Sequence, residues 1–393
     1  MLNTAFAPWP SYTAEEADAV RRVLLSNAVN YWTGNECREF EKEFSAWTGA
    51  SYAIAVSNGT VALEAALNAT GIGPGDDVIV TPRTFMASVS SVVMAGARPV
   101  FAEVDPDTQN ITAASIAECL TPQTKAIVCV HLAGMPCDMD PIMQLAEERK
   151  LLVIEDCAQA HGARYKGRSV GTIGHIGTWS FCQDKIMTTG GEGGMLTTND
   201  ADLWSRMWSY KDHGKSWQAV YEREHPPGFR WVHDSFGTNG RMLEMQAAIG
   251  RIQLRRMSEW TNTRRKNAGR IRETAIRLPG LTVPEMPPWA EHAAYKCFVF
   301  VDRSVLSSDG ARDRIIAEIN DRGVPCYSGS CSEVYREKAF AERGLAPKQR
   351  LPVARQLGET SLMFLVHPTL GDKHIDNTCD VLTEVMKNVV REG

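Results

Sequence analysis

Short apolar runs recur through the first half of the chain, and each ends in small or polar residues. Runs at residues 51–56, 77–82, 98–103, 126–131, 151–155, 177–181 and 194–198 predict strands. The clearest is Leu151-Leu152-Val153-Ile154, apolar without alternation, the pattern of a strand covered on both faces. Helical spacing fills the intervals at residues 36–47, in the Ala- and Leu-rich stretch reaching Leu67, and at 113–119 and 141–149. Upstream, Thr13 and Glu16 have the spacing of a capping box, and Leu24 and Leu25 close the apolar face of that first helix. Strand and helix in alternation, with short connections, predict an α/β fold with a mostly parallel sheet sandwiched by helices.

The pattern changes after residue 204. From 204 to 231 the chain is polar and aromatic, and reads as a long functional loop. A long helix follows at 241–277, stopped by Pro279-Gly280. A strand at 296–301, a helix at 310–322, a strand at 324–327, a loop through Pro352, further helices and a turn at Pro368 make a smaller α/β unit. The 393 residues suffice for two domains. The expected division is a large domain at 1–250 and a smaller C-terminal domain at 251–393, linked by the long helix.

Composition narrows the class. Charged residues are 23% and hydrophobic ones 44%, ordinary for a soluble enzyme. The net charge of −5 offers no basic excess for a nucleic-acid partner. No apolar run reaches membrane-spanning length, and residues 1–8 lack the basic-then-apolar order of a signal peptide. The ten cysteines are scattered, without a Cys-x-x-Cys pair, as expected for buried thiols in a reduced, cytoplasmic protein; no metal site is expected.

Candidate chemistry gathers at a few strand ends. The run ending at Phe181 delivers Lys185 into a segment of threonines and glycines, with Cys182, Ile186 and Met187 around it. Desolvation there disfavours a charged amine and frees it to attack a carbonyl, whereas the plain reading is a surface lysine in a glycine-rich loop. Asp156 ends the strand at 151–155, where open α/β sheets bind ligands; alone it reads equally as a helix N-cap. A lysine that forms an imine and an aspartate that holds a pyridine nitrogen protonated suit pyridoxal phosphate chemistry. Ser57-Asn58-Gly59-Thr60 leads from a strand into a helix, an anion site or an ordinary cap. Phe85, after the strand at 77–82, is a ring-stacking candidate or a core residue.

Taken in order, these stretches resemble the DegT/StrS-type sugar aminotransferases, which are fold type I pyridoxal phosphate enzymes. The resemblance spans nearly the whole chain. It is carried by Trp32-Thr33-Gly34, Phe40-Glu41, residues 57–60, Thr81-Pro82 with Phe85, residues 155–163, 181–194 and 237–242, and His367-Pro368. It implies that Lys185 carries the cofactor and moves the proton, that Asp156 partners the pyridine nitrogen, and that Gln159 lies near the ring hydroxyl. Phe85 then covers the ring face, and Gly59, Thr60 and Ser180 form the phosphate cup. Asn239 matches an asparagine that reaches across a dimer interface to the neighbouring phosphate, so a homodimer with shared active sites is implied. The implied reaction moves an amine from an amino acid, L-glutamate, to a keto or aldehyde sugar, nucleotide-linked, in amino-sugar, cell-surface polysaccharide or antibiotic synthesis.

Two departures from the family pattern stand out. Gly240 replaces a large side chain, which is expected to widen the pocket, and Cys182-Gln183-Asp184 replaces an aromatic-and-proline version before the lysine. Relatives with histidine in place of the lysine perform dehydration; Lys185 argues against that branch. A pyridoxal phosphate lyase or desulfurase would need a reactive cysteine or a different carboxylate clamp. A non-catalytic cofactor- or sugar-binding sensor would lack the lysine or carry an added DNA-binding segment.

Overall fold

The computed structural model describes residues 6–303 and 310–392. Residues 1–5, part of the stretch read for a leader, lie outside the described residues. The central sheet takes seven strands. They are β1 (Tyr52–Val56), β2 (Asp77–Val80), β3 (Arg98–Phe101), β4 (Thr124–Val130) and β5 (Leu152–Asp156), then, after a small hairpin of β6 (Arg164–Tyr165) and β7 (Arg168–Ser169), β8 (Ile176–Ser180) and β9 (Gly194–Thr198). Their order is β1-β9-β8-β5-β4-β2-β3. All neighbours from β8 to β3 pair in parallel, and β9 runs against both of its neighbours. The segment between β8 and β9 holds Lys185 and no helix, and such a connection joins antiparallel strands. The predicted mostly parallel sheet is therefore present.

Strand β5 shows why its two carboxylates differ. Successive side chains point to opposite faces. Glu155, fully buried, accepts the backbone N–H groups of Gly171, Ile173 and Gly174 and pairs with His131 Nε2 at 2.9 Å. It ties down the chain ahead of β8. Asp156, one residue on, faces the crevice at the sheet's carboxyl edge.

A second, antiparallel sheet is built from β10 (Leu281–Thr282), β12 (Cys297–Val301), β13 (Cys326–Tyr327) and β14 (Ser361–Phe364), in the order β10-β12-β14-β13. Between the first two in sequence, β11 (Ala290–Glu291) pairs instead with β6. The helix Glu244–Ala275 serves both bodies. Its Ala247, Leu254 and Met257 pack with Trp179 and Phe181, while Ala268, Ile271 and Ala275 pack with Ile315, Leu362 and Leu382.

The structure corrects three sequence readings. The expected loop at 204–231 begins inside a helix, Ala201–Tyr210, capped by Asp200 and buried along Leu203, Met207 and Trp208. A short helix at Trp217–Tyr221 follows, and its Trp217 packs edge-on against Trp204 and Trp208. Tryptophans at helical spacing were the signal there. Strand β14 falls between the helices Pro352–Thr360 and Asp372–Glu392, where only helices were expected. The helix Ala87–Met94, unforeseen, follows β2 and turns Ser88 toward the crevice. No helix among the described residues is long and apolar enough to cross a membrane.

Candidate active site

The carboxyl ends of β1, β2, β5 and β8 meet along one edge of the sheet, and a cavity of about 610 Å³ opens there. Each strand contributes. Gly59 and Thr60 follow β1, Phe85 follows β2, Asp156 ends β5 with Gln159 just beyond it, and Ser180 ends β8 with Lys185 on the loop after it. Seven of the eight residues singled out from the sequence thus line one cavity; Asn239 does not.

One end of the cavity is the N-terminus of the helix Gly59–Ala69. Asn58 caps it, its side-chain oxygen accepting the Val61 N–H at 2.9 Å. The first N–H groups of such a helix have no intrahelical acceptor, and they favour an anion. A Cβ on Gly59 would sit 2.7 Å from Ser180 Cβ, so glycine alone lets the turn close onto Ser180. This is a polar, anion-favouring cradle that lines the cavity.

Asp156 is only 5% exposed. Ser88 Oγ donates to its Oδ2 at 2.7 Å and Ala158 N–H to its Oδ1 at 3.1 Å. The Ser88 hydroxyl is also 2.8 Å from that of Thr84. No helix begins after β5; the chain proceeds through turns to β6. The N-cap alternative for Asp156 therefore falls. Gln159 is oriented by its carbonyl oxygen, which accepts the Ala133 N–H at 2.8 Å and leaves the NH₂ group as the available donor.

Lys185 sits on a tight loop whose ends are tied by Thr188 and Thr189 bonding to the Phe181 carbonyl. The Trp9 indole donates to the Lys185 carbonyl at 2.8 Å. The expectation of apolar company needs correction. Ile186 and Met187 are fully buried in the core, but the Lys185 amine lies 3.7 Å from the Asp184 carboxylate and 5.4 Å from the centroid of the Tyr295 ring. Burial raises the Asp184 pKa, yet Lys185, the Tyr295 hydroxyl and Lys296 outweigh it and hold this carboxyl below its usual range. The lysine side chain keeps 15% exposure, toward the cavity.

Sequence reasoning missed Ser88, Asp184, Tyr295 and Lys296. Thr84 and Ser88 are four residues apart, the spacing of one helical face, and that was a usable signal. Nothing in the sequence placed 295–296 beside 185. A second chamber of about 540 Å³ adjoins the first and shares Thr84, Phe85, Gln159, Asp184 and Lys185 with it. Its far wall comes from the second sheet, through Phe298 and Tyr327, and from Tyr295 and Lys296 just ahead of β12. Phe85, 68% exposed, borders both chambers and is no core residue.

The segment around Asn239 also needs correction. The expectation there is a pocket widened at Gly240. Instead the Ser57 N–H donates to the Gly240 carbonyl at 2.7 Å. A Cβ on Gly240 would lie 2.7 Å from Val61 Cγ1, so this glycine permits close packing against the helix start and does not widen a pocket. The Asn239 side chain nevertheless remains exposed, outside its own chain's cavity. Cys157 and Cys182 have thiol pKa values pushed up by burial, which opposes the reactive thiolate a desulfurase would need.

Comparison with known proteins agrees with this geometry. The model of the DegT/DnrJ/EryC1/StrS aminotransferase family matches residues 10–383. A GDP-perosamine synthase of Caulobacter vibrioides is 42% identical over 378 residues, covering 96% of this chain and 97% of the relative. The crystal structure of an aminotransferase from Psychrobacter cryohalolentis superposes with a TM-score of 0.95 at 63% identity, covering 98% of this chain and 99% of that one. DesV of S. venezuelae superposes at 0.85 with 32% identity and 95% coverage of each chain. The phosphate cradle, the buried carboxylate and the cavity-facing lysine fit pyridoxal phosphate, the cofactor of these enzymes. The chain belongs to the DegT/DnrJ/EryC1/StrS family of pyridoxal phosphate-dependent aminotransferases.

Proposed function

We propose that this enzyme moves the amino group of an amino acid, with L-glutamate as donor, onto a keto or aldehyde sugar carried by a nucleotide. The observation that carries this reading is Asp156 and Lys185 lining one cavity with a phosphate cradle at its end. The sugar class is supported by relatives named for GDP-, UDP- and dTDP-linked sugars, each at least 32% identical over nearly the whole chain. Such a product belongs to amino-sugar, cell-surface polysaccharide or antibiotic synthesis.

Bound in this cavity, pyridoxal phosphate supplies an electron sink for the carbon that loses and regains a proton. The chain's residues do the rest. Asp156 holds a proton on the ring nitrogen, itself fixed by Ser88 and Ala158. Gln159 offers its NH₂ group to the ring hydroxyl, and Phe85 covers the ring. Gly59, Thr60 and Ser180 hold the phosphate. Lys185 Nζ anchors the cofactor, then serves as base and acid on the reacting carbon.

Asn239 completes the phosphate site of a second copy in a homodimer, which its exposure outside its own cavity supports. The large domain comprises residues 1–250 and the smaller one 251–393, hinged on the long helix that serves both cores. All ten cysteines are free, which suits a reducing, cytoplasmic setting. The test adds L-glutamate to the cofactor-loaded protein and follows the visible absorption band. The band should give way to that of the pyridoxamine form, and a nucleotide-linked keto sugar should restore it with an amino sugar as product. A band that no amino acid discharges would refute this function.

A further inference from the structure

The second chamber contains a cation with no hydrogen-bonded or ion-paired counter-ion among the described residues. Lys296 immediately precedes β12 and lines the chamber, yet its ammonium makes no hydrogen bond or ion pair among the described residues. Its Nζ lies over the Tyr295 ring, 4.7 Å from the centroid. Lys185 Nζ lies 5.4 Å from the centroid of the same ring and lines the same chamber, so the two lysines are neighbours. Arg264, buried and hydrogen-bonded to the Tyr295 carbonyl, has no carboxylate partner among the described residues either, where its Nε and Nη2 are unpaired. Asp184 is already engaged by Tyr295 and Lys185. Glu337 is exposed at the chamber's margin. His367 is buried and kept neutral, its pKa lowered to about 3 by burial. On the other side of Lys296, a cleft holds Arg265, Arg272, His292 and Glu291. The balance around Lys296 is positive, and a half-buried charge without a partner is costly unless a ligand supplies one.

We propose that Lys296 is the anion-binding residue of this chamber and that its ligand is the α-carboxylate of the amino-acid donor. The proposal rests on the aminotransfer reading and adds the site of donor recognition to it. In an α-amino acid the carboxylate is attached to the carbon that bears the reacting amine. Whatever holds that carboxylate has to stand beside Lys185, as Lys296 does. The phosphate of a nucleotide sugar lies several bonds from a reacting ring carbon and has no such requirement.

The test uses the cofactor-loaded, full-length enzyme with Lys296→Met, Lys296→Gln and Lys296→Arg. Succinate, an unreactive dicarboxylate, is titrated against the visible band, and the KM for L-glutamate and for the nucleotide sugar is measured in separate half-reactions. Lys296→Met and Lys296→Gln should weaken succinate and raise the glutamate KM by roughly tenfold to a hundredfold, the loss of one charge-assisted bond. Lys296→Arg should retain most of the affinity, and the sugar KM should stay put. Unchanged succinate and glutamate binding in the neutral variants would overturn the assignment. So would weakening confined to the nucleotide sugar, which would place a sugar-borne phosphate at Lys296. A wild-type enzyme that no amino acid discharges would refute aminotransfer, and the succinate titration would still read Lys296.

Discussion

Ser88 Oγ lies 2.7 Å from Asp156 Oδ2, and it is the only side chain hydrogen-bonded to this carboxylate among the described residues. The bond joins the first helix after β2 to the end of β5, two elements that border the cavity from opposite sides. Ser88 is thus a positioning residue for Asp156. Ser88→Ala should slow the glutamate half-reaction by roughly ten- to a hundredfold, since a hydrogen bond to a charged group contributes about 1.5–3 kcal/mol. Ser88→Thr, which keeps the hydroxyl, should recover most of the rate. Rapid-mixing measurements of both variants decide it, and an unchanged rate in Ser88→Ala would remove Ser88 from the account.

Gly59 and Ser180 are in close contact at the proposed phosphate cradle. Gly59→Ala places a methyl 2.7 Å from Ser180 Cβ, with the strand β8 behind it. Overpacking of this kind typically costs about 1–3 kcal/mol. The strain should appear as weaker cofactor binding, roughly five- to a hundredfold in Kd, with circular dichroism unchanged. Titration of the apoprotein with pyridoxal phosphate measures it. Wild-type affinity in Gly59→Ala would place the phosphate elsewhere.

Burial lowers the Lys296 pKa from 10.5 to about 8. The ammonium is fully charged below that value and neutral above it, so an anion held by it is bound at low pH and released as pH rises. Succinate affinity should be flat below pH 7 and fall about tenfold per unit well above pH 8, while both succinate carboxylates stay ionised. Lys296→Arg should flatten the profile, because guanidinium stays charged across this range. A wild-type profile without a break between pH 7 and 9 would contradict the prediction.

The exposed Asn239 predicts complementation between subunits. Lys185→Ala and Asn239→Asp should each be inactive as homodimers. In mixed dimers with shared sites, one site carries both lesions and the other neither, so activity should return in part. Subunit exchange without any recovery would count against a shared site.

The sheet was legible because its strands are apolar on both faces and end in small polar turns. Asp156 and Lys185 could be read as a pair for the same reason, since both follow such strands. What stayed hidden depends on contacts far apart in sequence. Lys296 immediately precedes an apolar strand, and nothing near it in the chain says that it shares the Tyr295 ring with Lys185. Gly240 looked like a missing side chain in a pocket, while its role is to let Val61 approach. The helix Ala201–Tyr210 was misread because its tryptophans resembled loop aromatics, although Leu203 and Met207 stand four residues apart on its buried face.

The central claim is that Lys185, and no other lysine, carries the cofactor. Borohydride reduction of the cofactor-loaded enzyme fixes the linkage, and peptide mapping by mass spectrometry locates it. Two other lysines make the experiment discriminating: Lys296, over the Tyr295 ring, and Lys211, fully buried with its pKa lowered to about 8 by burial. The account predicts the label on the peptide containing Lys185 and its absence from Lys185→Ala. A label on Lys296 or Lys211 in the wild-type protein would contradict it.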